Sequence, residues 1–298
     1  MRFMCIRDGE GGTALAVVRG DKALPLAPAY GAVFADVGAL AAAGPAGLAQ
    51  VERAVGEAPE DAWKPVEHLT PALPVTNPGK VVCLGLNYAD HAKEGGHEVP
   101  DYPSLFMRVL TSLIPAGAPL VRPRVSETLD YEAELMVVIG RGGRYLAEEE
   151  ALDAIFGYTL FNDGSVREYQ RKTKQWTAGK NFDATGPVGS VVVTPDELPA
   201  GAAGLRIATR LNGQVMQDDN TDNMLFPVAR TIAIVSEIMT LEPGDMIAMG
   251  TPQGVGHARR PPVWMKAGDV VEIEIEKIGV LRNPIVDEAA GEARAAAE

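Results

Sequence analysis

The chain has 298 residues, 46% hydrophobic and 22% charged, enough apolar material to pack one large domain and a small one, which excludes a disordered chain. A formal net charge of −13 repels nucleic acid and anionic membranes at long range, so neither is an expected partner. Any anionic substrate must meet a local positive centre. Cys5 and Cys83 each sit in an apolar run and read as buried free thiols, which suits a reducing cytoplasm. The amino terminus lacks the apolar core of a signal peptide, and no run approaches membrane-spanning length, so a soluble cytoplasmic protein is expected.

Apolar runs at 2–7 and 13–19 flank Asp8-Gly9-Glu10-Gly11-Gly12, a turn signature that predicts an opening hairpin. Segments 35–43 and 46–57, broken at Gly44-Pro45, have the spacing of short amphipathic helices. Residues 1–70 are therefore expected to form a small α/β lobe, joined through a proline-rich connector to a catalytic domain over 71–288. That second region carries short β-rich runs at 80–86, 134–139, 189–194, 205–212, 246–250 and 270–275, with a helix at 228–240. Strand and helix do not alternate regularly. The expected fold class is mainly β (α+β), a rolled, largely antiparallel and barrel-like sheet architecture rather than a doubly wound sheet or a TIM barrel. The tail, 289–298, has nothing large to bury and is expected to fray.

In Asp130-Tyr131-Glu132-Ala133-Glu134-Leu135, two glutamates two apart lead into a strand-like run, whose period of two sends both carboxylates to one face. Near a core such a pair calls for a cation, and a hard divalent ion with oxygen ligands is a common one. A solvated strand edge is the other reading of an isolated Glu-X-Glu. About thirty residues on, Asn162-Asp163-Gly164 places an acid at the end of another apolar run. Asp163 is either a third ligand or a turn-forming cap. Three carboxylates suit octahedral magnesium better than zinc.

His91 and Glu94, three apart in a marginal helix that Asp90 is placed to cap and Gly95-Gly96 to end, would share a face. The pair reads as a general base oriented by a carboxylate, or as an ordinary surface pair. Lys180, between aromatic and glycine residues, could neutralise an oxyanion or stand on a solvated loop. Gly250-Thr251-Pro252-Gln253-Gly254-Val255-Gly256 is a tight loop able to turn backbone N–H groups and a hydroxyl toward an anion, and it matches neither a Walker loop nor a Rossmann fingerprint.

In their order along the chain, these blocks resemble the fumarylacetoacetate hydrolase family. The likeness runs from about Lys80 to Glu288 through Asn87-Tyr88-Ala89-Asp90-His91-Ala92-Lys93-Glu94, Asp130-Tyr131-Glu132-Ala133-Glu134, Asn162-Asp163-Gly164-Ser165-Val166-Arg167, Gly179-Lys180, Asn212-Gly213-Gln214 and Gly250-Thr251-Pro252-Gln253-Gly254-Val255-Gly256. The resemblance implies a homodimer with Mg2+ or Mn2+ on Glu132, Glu134 and Asp163, a His91/Glu94 dyad, a catalytic lysine at Lys180 and substrate contacts from Gln170 and Thr251. Two departures bear on the substrate's distal anchor. Leu86 stands where the family often has arginine, and Arg108-Val109 where it often has Lys-Pro, which makes Arg108 a candidate anchor.

The expected activity is magnesium-dependent hydrolytic cleavage of a C–C bond in a 2,4-dioxo (acylpyruvate-type) acid, as in aromatic catabolism. The same metal–enolate chemistry would serve an oxaloacetate-type decarboxylase, a 2-oxo-3-ene diacid isomerase or a 2-oxo-3-deoxy acid dehydratase. A non-catalytic 2-oxo acid binding protein is the alternative of another class.

Overall fold

The computed structural model describes residues 1–9 and 11–289, so all of the expected frayed tail but Ala289 lies outside the described residues. The strand Ala133–Ile139 is central, with all seven residues buried. It pairs antiparallel with Ile155–Asn162 on one edge and Met246–Ala248 on the other. Its side chains alternate between two cores, Leu135, Val137 and Ile139 entering one and Met136 and Val138 the other. Covering both faces is what allows a continuous apolar run here in place of an alternating one. Each such side chain contributes about 1.5–3 kcal/mol by leaving water.

This strand belongs to a sheet of twelve strands among the described residues, and a second sheet has five. In the five-stranded sheet Val270–Ile275 buries every other residue, Val271, Ile273 and Ile275, and these pack in the same core as Leu135, Val137 and Ile139. Pairing is mostly antiparallel. Parallel exceptions join Met246–Ala248 to Val81–Gly85, Gly186–Val188 to Leu113–Pro115, and Gly279–Asp287 to Leu120–Arg122. The architecture is the expected strand-rich α+β one, built from open sheets.

The opening hairpin forms from Arg2–Arg7 and Thr13–Arg19. Its helix, Val37–Glu57, starts at Asp36, whose carboxylate accepts from Ala39 N at 2.8 Å, and breaks at Gly44 (φ 58°) before Pro45. The sequence pattern placed that break because only glycine adopts this backbone freely and proline cannot continue the preceding turn. The lobe shares the large sheet, since Arg2–Arg7 also pairs with Val191–Val193. The expected helix at 228–240 runs Val228–Ile238. Cys5 and Cys83 are free and buried. Among the described residues no helix is long and apolar enough to cross a membrane.

Candidate functional site

Strand pairing assembles the acidic groups. Ala133 lies opposite Asn162, so the residues just before one strand and just after the other are neighbours, and Asp163 N donates to Glu132 O at 3.0 Å. Asn162 Oδ1 accepts from Glu132 N at 2.9 Å and fixes the same corner. Period two then puts Glu132 and Glu134 on the face of Met136, and Asp163 on the face of Phe161, which share a core. The three side chains are buried, and each offers a carboxylate oxygen within 4.8 Å of the other two.

Three cations surround two of these carboxylates. Lys180 Nζ donates at 2.6 Å to both Glu132 Oε2 and Asp163 Oδ2. Arg167 Nη1 lies 2.6 Å from Glu132 Oε1, and its Nε donates to Asp130 Oδ2 at 2.8 Å. Arg108 Nη1 donates to Asp163 Oδ1 at 2.6 Å. Burial opposes the charged form of Glu132, but Lys180 and Arg167 outweigh it and hold its pKa well below the carboxylate range. Burial likewise opposes the Lys180 ammonium, yet Asp163 and Glu132 raise its pKa above the usual lysine value. In the metal-free protein these two carboxylates therefore favour Lys180 as an ammonium. Glu134 differs: its Oε2 accepts from Gly250 N at 2.9 Å, and it has no ion-pair partner among the described residues. Burial first, then the charges of Asp163 and Glu132, push its pKa well above the normal range. A buried, oxygen-only set with one carboxylate uncompensated fits a hard divalent cation.

Beside this cluster His91 Nδ1 and Glu94 Oε1 are 2.9 Å apart on the short helix Ala89–Glu94. Tyr88, not Asp90, occupies the N-cap, and Asp90 instead pairs with Lys93 at 2.9 Å. Asn87 braces the start of this segment, donating to Phe226 O at 3.1 Å and Met249 O at 2.7 Å. The glycine loop performs a different task from the one its composition suggested. Its N–H groups donate to the protein's own carboxylates: Gly250 to Glu134, Gly254 to Glu94 at 2.9 Å, and Gly256 to Asp130 at 2.7 Å. Gly250 (φ 83°) and Gly254 (φ 98°) require the left-handed backbone, and a Cβ at residue 254 would come within 2.5 Å of Met216 O.

These groups meet at a cavity of about 460 Å³, on whose wall stand His91, Glu132, Glu134, Gln170, Lys180 and Thr251. Gln170 Oε1 accepts from Arg167 at 3.0 Å, and Thr251 Oγ1 accepts from Gln217 Nε2 at 2.8 Å. Leu86 also lines the cavity, whereas Asp163 and Arg108 do not, and Glu94 faces a neighbouring cavity. Arg108 is no exposed anchor. Its guanidinium is buried and donates to Asp163, Gly164 O, Thr185 and Ser112, so its chemistry is directed at the acidic cluster. Sequence reasoning missed Arg167, Asp130, Gln217 and His257, the last of which lines the cavity and donates through its backbone N to Asp130 Oδ2 at 3.0 Å. Asp130 and Arg167 stood inside quoted motifs, but their pairing depends on the bridge between Leu129–Asp130 and Ser165–Val166, which no local pattern announces.

Residues 80–286 match the fumarylacetoacetate (FAA) hydrolase C-terminal family. The chain is 43% identical over 215 residues to "Oxaloacetate tautomerase fahd2, mitochondrial" of Xenopus laevis, covering 72% of this chain and 67% of that protein. It is 43% identical over 224 residues to "Oxaloacetate tautomerase FAHD2A, mitochondrial" of Homo sapiens, covering 74% and 71%. Among solved structures, a putative HpcE protein from Mycobacterium smegmatis superposes with a TM-score of 0.85 at 31% identity, covering 97% of this chain and 100% of that one. The maleylpyruvate hydrolase from Sphingobium sp. SYK-6, in complex with manganese (II) ion and pyruvate, gives 0.81 at 27% identity, again covering 97% and 100%. With a match over residues 80–286 and relatives above 40% identity, the chain belongs to the fumarylacetoacetate hydrolase family.

Proposed function

We propose that the protein is an enzyme that moves a proton at the carbon beside the carbonyl of a short 2-oxo acid, interconverting keto and enol forms, with an oxaloacetate-type acid as substrate. The observation that carries this reading is the shared wall of one cavity, where Glu132, Glu134 and the charged Lys180 stand with His91. When bound by Glu132, Glu134 and Asp163, a divalent ion such as Mg2+ or Mn2+ supplies a Lewis acid for the carbonyl and carboxylate oxygens of a 2-oxo acid. Lys180, held as an ammonium between two carboxylates, is not the base. It is a fixed positive charge that favours the developing enolate oxygen. His91, oriented through Nδ1 by Glu94, takes the proton from carbon and returns it to oxygen. Thr251 and Gln170 orient the substrate from the same wall.

The named relatives above 40% identity favour tautomerisation over the hydrolysis expected from sequence. Hydrolysis stands as a second reading, favoured by the His91–Glu94 hydrogen bond, which gives a base able to hold an attacking water. There His91 would deprotonate water, the hydroxide would add to the 4-carbonyl of an acylpyruvate, and the C3–C4 bond would break with its electron pair leaving on the pyruvate enolate. Incubating the magnesium-loaded protein with oxaloacetate and with acetylpyruvate separates the two. Accelerated keto–enol exchange supports the first, formation of acetate and pyruvate supports the second, and neither event overturns both.

A further inference from the structure

With Arg108 turned toward Asp163, the far end of the substrate needs another reader. The wall of the cavity includes Arg171 and Lys174, both exposed, on the segment between the helices Arg167–Gln170 and Thr177–Lys180. Neither has an ion-pair partner among the described residues. Their neighbour Lys172 is already engaged, with Nζ 3.4 Å from the centre of the Tyr169 ring. The segment is held around and after Lys174. Thr173 Oγ1 accepts from Gln175 N at 3.0 Å, and Trp176 packs edge-on against Phe106 with ring centres 5.7 Å apart. Trp176 also fills the space over Gly85, where a Cβ would lie 1.9 Å from its ring. Arg171 further lines the neighbouring cavity, which shares Gly95 and His257 with the first, so it stands where the two spaces meet.

In a chain of net charge −13, two uncompensated cations at the mouth of an acid-lined cavity form the local positive centre that an anion requires. Of the carboxylates deeper in the cavity wall, Glu132 is paired with Lys180 and Arg167, and Glu134 is buried and accepts from Gly250 N, so neither is paired with the rim. A volume of about 460 Å³ also exceeds the needs of a three-carbon acid held at the metal end. We propose that Arg171, assisted by Lys174, is the specificity-determining subsite for a second carboxylate, so that the substrate is a 2-oxo dicarboxylic acid extended from the acidic cluster toward the mouth. This rests on the 2-oxo acid reading above and adds the residues that select among such acids. A guanidinium presents paired donors that match a carboxylate, which makes Arg171 the main contact and Lys174 a point charge beside it.

The test uses two acids of equal length with the same 2-oxo head, 2-oxoglutarate and 2-oxopentanoate, titrated calorimetrically into the full-length protein loaded with Mn2+. The native protein is expected to prefer the diacid by about tenfold or more, the worth of one good charge-assisted contact. Arg171→Gln and Lys174→Gln each lower that ratio, and the double variant brings it close to one. Both residues are exposed, so the variants fold. Arg53→Gln, which removes the same charge from the amino-terminal helix, keeps the native ratio. Equal affinity for the two acids in the native protein, or an undiminished preference in the double variant, overturns the subsite alone. Failure of both acids to bind overturns the 2-oxo acid reading and the subsite with it.

Discussion

Arg108 and Asp163 form a fully buried ion pair, Nη1 to Oδ1 at 2.6 Å, on the side of the acidic cluster that does not line the cavity. Asp163 has a second cation in Lys180, whereas Arg108 has no other carboxylate among the described residues. The two halves of the pair should therefore cost different amounts to remove. Arg108→Met leaves Asp163 paired and is expected to lower stability by about 3 kcal/mol, while Asp163→Asn strands a buried guanidinium and should cost about 5 kcal/mol. Denaturant unfolding of both variants gives the comparison. The reverse order would mean that Lys180 does not hold Asp163 in solution. Through looser placement of Asp163, Arg108→Met should also weaken divalent-ion affinity by about 10–100-fold.

Glu132→Gln gives the cleaner test of the acidic cluster, because each cation it touches keeps another carboxylate: Lys180 keeps Asp163 and Arg167 keeps Asp130. The variant should fold with near-native unfolding behaviour yet lose Mn2+ binding and nearly all turnover. Full activity after metal stripping and magnesium return would remove Glu132 from the site.

Glu134 predicts a proton linkage. Its folded pKa is raised by burial and by Asp163 and Glu132, so a proton persists on it to higher pH than on a free glutamate. A divalent ion must displace that proton, so binding should release protons and weaken as pH falls through the raised value. For the metal-free protein the sign is opposite. Stability from the raised pKa is present below the unfolded value and declines as pH rises through the folded one. Calorimetric titrations in buffers of different ionisation enthalpy measure the release, and no buffer dependence in the native protein, or the same release in Glu134→Gln, would contradict the assignment.

His91→Ala removes the base and leaves the carboxylates, the fixed lysine and the metal seat intact. Turnover should fall by about a hundred- to ten-thousand-fold with divalent-ion affinity unchanged. Glu94→Gln, which keeps the hydrogen bond from Gly254 impaired but present, should cost less. Native rates in His91→Ala would assign the proton transfer to another group.

Much of the site was legible because it obeys short-range periodicity. Glu132 and Glu134 announce a shared face through strand alternation, and His91 and Glu94 through helical spacing. The Gly44-Pro45 break was equally local. What could not be read depends on partners distant in sequence. The counter-charges reach across long separations, Arg108 to Asp163 over 55 residues and Lys180 to Glu132 over 48, and composition does not say which cation meets which acid. The glycine loop shows the same limit: its bends were evident, but the acceptors its N–H groups satisfy are the carboxyl groups of Glu134, Glu94 and Asp130. The fusion of the amino-terminal lobe to the main sheet rests on the pairing of Arg2 with Val193, again without a local sign.

The most direct measurement is anomalous diffraction at the manganese edge from crystals of the protein soaked in Mn2+. The account predicts one strong peak among Glu132, Glu134 and Asp163, with carboxylate oxygens from all three at about 2 Å, the octahedral oxygen distance. An ion held by other side chains, or no peak at this cluster in crystals that bind manganese elsewhere, would contradict it.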